Sequence, residues 1–182
     1  MLQLNFTPFP VLNTGRLQLR AVNINDANEI FFLRSDERVL QYLDRKPPKS
    51  LKDVDDFIER IQNDQQNNDS ILWGICLKDT APVIGTIGYW QIQKEHYRAE
   101  TGYMLHPDYQ GKGIMDEALK AVIKYGFETM QLHSIEANVN PANAASMKLL
   151  EKNGFVKEAY FRENYFYNGQ FLDSVIYSLL NK

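Results

Sequence analysis

The stretch that decides the fold is His106-Pro107-Asp108-Tyr109-Gln110-Gly111-Lys112-Gly113-Ile114-Met115. Ahead of it, Arg98 to Leu105 reads as a strand. Behind it, Met115, Leu119, Val122, Ile123 and Gly126 keep helical period. A strand therefore runs into a glycine-rich turn that opens a helix. Gly111 and Gly113 let backbone N–H groups approach a ligand closely, the helix N-terminus adds partial positive charge, and Lys112 adds a full one. Together they suit a pyrophosphate, although an ordinary strand-to-helix turn would use the same residue types. The stretch is not a nucleotide P-loop, because no Gly-Lys-Ser/Thr follows the required gap. Nor is it a dinucleotide fingerprint, because the third glycine is missing.

Toward the N-terminus, Ile71 to Leu77 and Val83 to Ile92 are strand-like runs joined around Lys78-Asp79-Thr80. The polar run Asn63 to Ser70 reads as a solvated loop. Ser50 and Asp53 form a capping-box pattern before Val54, Phe57, Ile58 and Ile61, which fall at helical spacing. Asn25-Asp26 offers a cap for a helix carrying Ile30, Phe31 and Leu33, and Arg16 to Val22 alternates as a half-buried strand. Toward the C-terminus, Ser134 to Val139 alternates again. Asn140-Pro141 predicts a helix start, with Asn as the cap and Pro at the first helical position. Asn153-Gly154 predicts the helix end. Asn168-Gly169, between Tyr160–Tyr167 and Gln170–Leu180, predicts a hairpin. Strand, helices, three strands, helix, strand, helix and hairpin predict an α/β (α+β) domain with a mixed sheet, spanning residues 1–182 as one unit.

The bulk numbers set limits. The chain has 182 residues, with 20 Lys+Arg against 23 Asp+Glu and a formal net charge of −3. That balance argues against a protein built mainly to coat nucleic acid. One cysteine excludes an intramolecular disulfide framework and a Cys-rich zinc site. No apolar run approaches the roughly 20 residues of a membrane span, and MLQLNFTPFPVLNTGR lacks the basic-then-apolar shape of a signal peptide. The expectation is a soluble cytoplasmic protein with no metal, nucleic-acid or membrane partner. His96, His106 and His133 have no metal-ligand spacing.

The loop and its surroundings resemble the GNAT N-acetyltransferase superfamily, whose acetyl-CoA loop follows Gln/Arg-x-x-Gly-x-Gly/Ala. Gln110-Gly111-Lys112-Gly113-Ile114-Met115 matches it except at the last small position, where Met115 stands. That departure is similar to the subgroup that acetylates the N-termini of ribosomal proteins. Further segments agree in order: Arg98 to Tyr103 before the loop, Asn140 to Ser146 and Leu149 to Phe155 around the next helix, and Tyr167 to Asp173 at the terminal hairpin. The resemblance spans roughly Arg16 to Leu180. It implies a mixed, mostly antiparallel sheet splayed open between the Glu100 and Glu136 strands, with helices on both faces. It implies acetyl-CoA as cosubstrate, its pyrophosphate on Gln110, Gly111, Lys112, Gly113, Ile114 and Met115. The pantetheine would pair with backbone near Met104 and Leu105 and touch Asn143.

The implied reaction is direct attack of an amine on a thioester. An α-amine, with a pKa of about 8, is partly neutral at pH 7, whereas a lysine at about 10.4 needs more help. Glu100 is the candidate base. By strand alternation it shares a face with Gly102 and Met104, opposite Thr101 and Tyr103. A strand glutamate paired with Arg98 is the bland alternative, and Glu136 is a second candidate. The tyrosine that many family members use to protonate the thiolate is replaced by Leu150; Ser146, three residues from Asn143, is the natural replacement as hydrogen-bond donor. Tyr160, Tyr165 and Tyr167 of the hairpin are further candidates that packing would equally explain. The expected partner is an amine acceptor. The leading acceptor is a protein or peptide N-terminus; a polyamine, antibiotic or amino acid, or a non-catalytic acetyl-CoA-binding module, is the alternative. The hairpin from Tyr160 to Leu180 is a candidate homodimer contact.

Overall fold

In the computed structural model, which describes residues 1–182, one sheet of eight strands runs β1-β2-β3-β4-β5-β6-β8-β7. The strands are β1 (Leu12–Asn13), β2 (Leu17–Ala21), β3 (Ile71–Leu77), β4 (Gly85–Gln93), β5 (Arg98–Leu105), β6 (Ser134–Val139), β7 (Val156–Tyr167) and β8 (Gln170–Leu180). The helices are α1 (Ala27–Ser35), α2 (Glu37–Leu40), α3 (Leu51–Gln66), α4 (Ile114–Glu128) and α5 (Ala144–Lys152).

Neighbouring strands are antiparallel except β5 and β6. Those two run parallel and pair only at Arg98–Ser134, Ala99–Ile135 and Glu100–Glu136. Past Glu100 and Glu136 they part, so the sheet splays where the family resemblance implies. Thr101 to Leu105 keep β4 on one side and have no strand on the other.

Two apolar clusters cover the two faces of the sheet. The larger gathers Trp73, Ile87 and Tyr89 against Ala118, Leu119 and Val122 of α4, with Leu150 of α5. The smaller joins Val22, Cys76 and Val83 to Ile30 and Leu33 of α1 and Val54 and Ile58 of α3. Leu2 and Phe6, from an N-terminal segment that the periodicity did not assign, close the larger cluster. Cys76 and Trp73 are buried core residues.

Local signals held where the chemistry was local. Ser50 and Asp53 form a reciprocal capping box on α3. Asn168 and Gly169 turn the β7–β8 hairpin with φ of 47° and 85°, and Gly154 takes φ 85° after α5. Three expectations need correction, the second only in part. The polar run Asn63–Ser70 is not all loop, because α3 continues to Gln66. Asp26 does hold the N-cap position of α1 but makes no side-chain cap bond there; its carboxylate instead joins Asn23 in a capping box on the short turn at Ile24–Asp26. Asn140-Pro141 does not start α5. Asn140 Oδ1 accepts the Ala142 N–H at 2.9 Å, which makes a turn. The cap is Asn143, whose Oδ1 accepts the Ser146 N–H at 3.0 Å. An Asn side chain two residues ahead of a free N–H closes such a turn as readily as it caps a helix.

Candidate active site

The glycine-rich loop is built from strand to helix as its sequence predicts. Leu105 ends β5, Pro107–Tyr109 make a single tight turn, and Gly113 caps α4. Gly111 and Gly113 both sit at φ 71°, a left-handed conformation costly to residues with a Cβ. None of the backbone N–H groups from Gly111 to Asp116 meets an acceptor within the protein. Such a row of free donors at the start of a helix is an anion site.

The loop is pinned from behind by Arg16. Its Nη1 donates to the Lys112 carbonyl at 3.0 Å and its Nη2 to the Gly113 carbonyl at 3.1 Å. The same guanidinium pairs with Glu117 at 2.7 Å. With these carbonyls tied back, the N–H groups remain available on the other side. The sequence did not single out Arg16, because it lies nearly a hundred residues from the loop it holds.

The splay between β5 and β6 opens into a cavity of about 700 Å³. Glu100, Met104, Asn143 and Ser146 all line it, so it gathers most of the predicted site residues outside the loop. Glu100 and Met104 lie on the side of α1 and α3, where Met104 packs on the smaller cluster. Gly102, between them, makes room for Trp90: a Cβ there would meet the indole at 2.2 Å. Burial pushes the Glu100 carboxyl above the usual range, against smaller opposite effects from the Trp90 indole and the Arg98 charge. Arg98 pairs with Glu136 instead. That contact occupies Glu136 and leaves Glu100 without a salt bridge.

Ser146 reaches the splay from α5. Its hydroxyl shares a 2.8 Å hydrogen bond with Tyr103, from the opposite face of β5 to Glu100. Burial raises the Tyr103 hydroxyl to about 12, while the bond to Ser146 lowers it in part. Tyr103 was visible to the alternation only as a residue facing away from Glu100; its pairing with Ser146 depends on how α5 docks. Leu150 is fully buried in the larger cluster. Leu105 offers its carbonyl to Gln110 Nε2 at 3.3 Å, which joins the strand end to the loop. His106 belongs to the turn: its Nδ1 accepts the Asp108 N–H at 3.2 Å and its ring stacks on Phe32. No three His, Cys, Asp or Glu side chains gather to hold a metal ion, and no helix is long and apolar enough to cross a membrane.

Splayed parallel strands feeding a donor-rich loop define the acetyltransferase fold, and the comparisons agree. The acetyltransferase (GNAT) domain profile matches residues 16–156, so the chain belongs to the GNAT family and is an N-acetyltransferase. It is 36% identical over 172 residues to the "Uncharacterized N-acetyltransferase YoaA" of Bacillus subtilis (strain 168), covering 94% of this chain and 97% of that one. It is 26% identical to the spermidine N(1)-acetyltransferase of Vibrio cholerae, covering 87% and 90%. Among solved structures it is similar to the ribosomal-protein-S5-alanine acetyltransferase of Vibrio fischeri, with a TM-score of 0.84, 26% identity and coverage of 95% and 97%.

Proposed function

We propose that residues 1–182 act as one domain that acetylates the α-amine of a protein or peptide N-terminus, using acetyl-CoA. The observation that carries this reading is the one cavity onto which Glu100, Asn143, Ser146 and the open edge of β5 all face. Bound there, acetyl-CoA supplies a thioester: a C–N bond forms, a C–S bond breaks, and the proton lost by the amine is returned to sulfur. The free N–H groups of Gly111 to Met115, with Lys112, suit the pyrophosphate. The open edge at Met104 and Leu105 suits the pantetheine arm, and Asn143 retains an Nδ2 with no protein partner.

Glu100 accepts the proton of the incoming amine. Its raised carboxyl lies nearer than a free glutamate to an α-amine of pKa about 8, so the transfer is less uphill. Ser146 donates a hydrogen bond to the departing sulfur, and Tyr103 holds the hydroxyl in place. A small-molecule amine is the second acceptor class, favoured by the similarity to a spermidine acetyltransferase.

The test is thiol release from acetyl-CoA against a panel of N-terminal peptides and small amines, with calorimetry of acetyl-CoA binding alongside. Turnover on peptides is the expected result, and turnover on small amines alone overturns it. A Glu100→Gln/Ser146→Ala double variant that keeps full turnover removes both assigned roles. Acetyl-CoA binding with no turnover on any amine leaves a non-catalytic module.

A further inference from the structure

We propose that Arg34, Arg45 and Arg60 form an anion subsite in the acceptor half of the cavity, and that the preferred acceptor is a peptide N-terminus followed by an acidic residue. This rests on the acetyltransferase reading above and narrows its substrate.

The three arginines come from separate elements. Arg34 lies in the last turn of α1, Arg45 in the connection between α2 and α3, and Arg60 within α3. All three line the same cavity as Glu100 and Ser146. Phe57 draws two of them together: the Arg34 guanidinium lies 3.8 Å from its ring centroid and that of Arg60 lies 5.4 Å away. Arg16, Arg20, Arg38 and Arg98 each hold a carboxylate. Arg34, Arg45 and Arg60 pair with none.

Carboxylates do line the cavity, but none makes an ion pair with the cluster. Asp44, next to Arg45, accepts the Tyr165 hydroxyl. Asp64, one turn beyond Arg60, and Glu100 both lie outside ion-pairing reach of the three. Burial, and then repulsion from Arg45 and Arg60, lower the Arg34 guanidinium to about 10, and burial lowers Arg45 with help from Arg60. Arg34 remains charged at neutral pH.

Arg34 and Arg45 are half-buried without a partner, which is costly to a fold, and a ligand that brings a carboxylate offsets that cost. The planar fork of arginine matches a carboxylate bidentately. Beside the cluster a cation is disfavoured by like charge, although the cavity as a whole also holds Asp44, Asp64 and Glu100. The cofactor phosphates have a separate place, since none of Gln110 to Met115 lines this cavity. The anion expected beside the arginines is therefore part of the acceptor.

The shared chemistry is a carboxylate a few bonds from a primary amine. It can come from an acidic side chain near a peptide N-terminus or from the α-carboxylate of a free amino acid. The experiment measures kcat and KM at saturating acetyl-CoA for peptides that differ only in Glu, Gln or Lys after the N-terminal residue. Free glutamate and spermidine complete the panel. Arg60→Gln is the primary variant because Arg60 is exposed; Arg34→Lys, which keeps the charge but loses the fork, is the second. Calorimetry follows acetyl-CoA, and also the acidic peptide added to CoA-loaded protein.

The Glu peptide should exceed the Gln peptide by about tenfold in kcat/KM, mostly through KM, with the Lys peptide lower still. Arg60→Gln should erase most of that preference with acetyl-CoA affinity unchanged. Equal turnover of Glu, Gln and Lys peptides would overturn the subsite while leaving N-terminal acetylation standing. So would a loss of acetyl-CoA affinity in Arg60→Gln with the acceptor preference intact. Turnover of free glutamate and of no peptide would keep the subsite and overturn the N-terminal reading. Failure of the CoA-loaded protein to bind either the acidic peptide or glutamate overturns the subsite alone, and the peptide turnover panel decides the N-terminal reading.

Discussion

At the scale of single residues, Glu100 governs the expected pH dependence. A carboxyl raised by burial is protonated, and useless as a base, up to a higher pH than a free glutamate. The rate should therefore rise with pH through that raised value, and the acid limb should lie above the usual carboxylate range. Glu100→Gln should lower kcat by about a hundredfold or more and abolish that limb, while acetyl-CoA binds as before. A pH–rate profile of both proteins checks this. Ser146 and Tyr103 act as a pair. Ser146→Ala should cost about tenfold in kcat, and Tyr103→Phe should cost less, because it loosens the serine without removing its hydroxyl. Combining the two should add little to Ser146→Ala alone, which a double-mutant cycle would read directly.

At the scale of elements, α4 carries both the loop and much of its support. Arg16→Gln frees the Lys112 and Gly113 carbonyls and removes a positive charge beside the loop, so acetyl-CoA should bind several-fold more weakly, with the acceptor KM unchanged. Calorimetry measures the first and kinetics the second. At its first turn α4 is also tied to α5. Asp116 takes Lys120 and Lys152, each at 2.9 Å, and Asn153 at 2.9 Å. Burial pushes the Asp116 carboxyl up, but these three partners outweigh it and hold it at about 2, below the ordinary 3.8. A carboxylate lowered in the folded state stabilises above its ordinary pKa and loses that contribution as pH falls through the folded value. Asp116→Asn should lower the melting temperature by about 3 °C at neutral pH. The gap from the unsubstituted chain should close as pH drops from about 4 toward 2.

The elements also explain what could be read in advance. The loop was legible because its parts are contiguous: strand end, two glycines, lysine and helix start occupy one short run. The hairpin and the α3 capping box were legible for the same reason. The start of α5 was misread because Asn140 and Asn143 both suit a cap, and the choice depends on where Ser146 must sit. The arginine cluster was not legible at all. Arg34, Arg45 and Arg60 stand in different elements among ordinary surface charges, and only the docking of α1 on α3 around Phe57 makes them one feature. Arg16 and Tyr103 were hidden for the same reason, since their partners are fixed by tertiary packing.

At the scale of the whole molecule, the cavity is enclosed by parts that are far apart in sequence. The N-terminal helices supply one wall, the splayed strands the back, and the C-terminal hairpin another wall through Asn164 and Tyr165. The Tyr165 hydroxyl donates to Asp44 in the α2–α3 connection and joins two walls separated by 121 positions. Burial is the largest influence raising the Tyr165 hydroxyl, followed by the Asp44 carboxylate, so the tyrosine stays neutral and remains a donor throughout the working pH range. Asp44 is exposed and Tyr165 only partly buried, so the pair contributes little to global stability and its main effect is on the shape of the acceptor entrance. Tyr165→Phe should therefore leave acetyl-CoA affinity and the melting temperature nearly unchanged. It should raise the acceptor KM by about threefold to tenfold, as expected for one hydrogen bond that holds a binding wall in place. Freed from the tyrosine, the Asp44 carboxylate can turn toward Arg45 beside it. The same variant should then weaken the preference for acidic acceptors, whereas Asp44→Asn, which removes that charge, should restore it. Acceptor KM values for matched Glu and Gln peptides across the three proteins decide the point: equal preference in all three would mean that the hairpin shapes the entrance without touching the charge of the cavity.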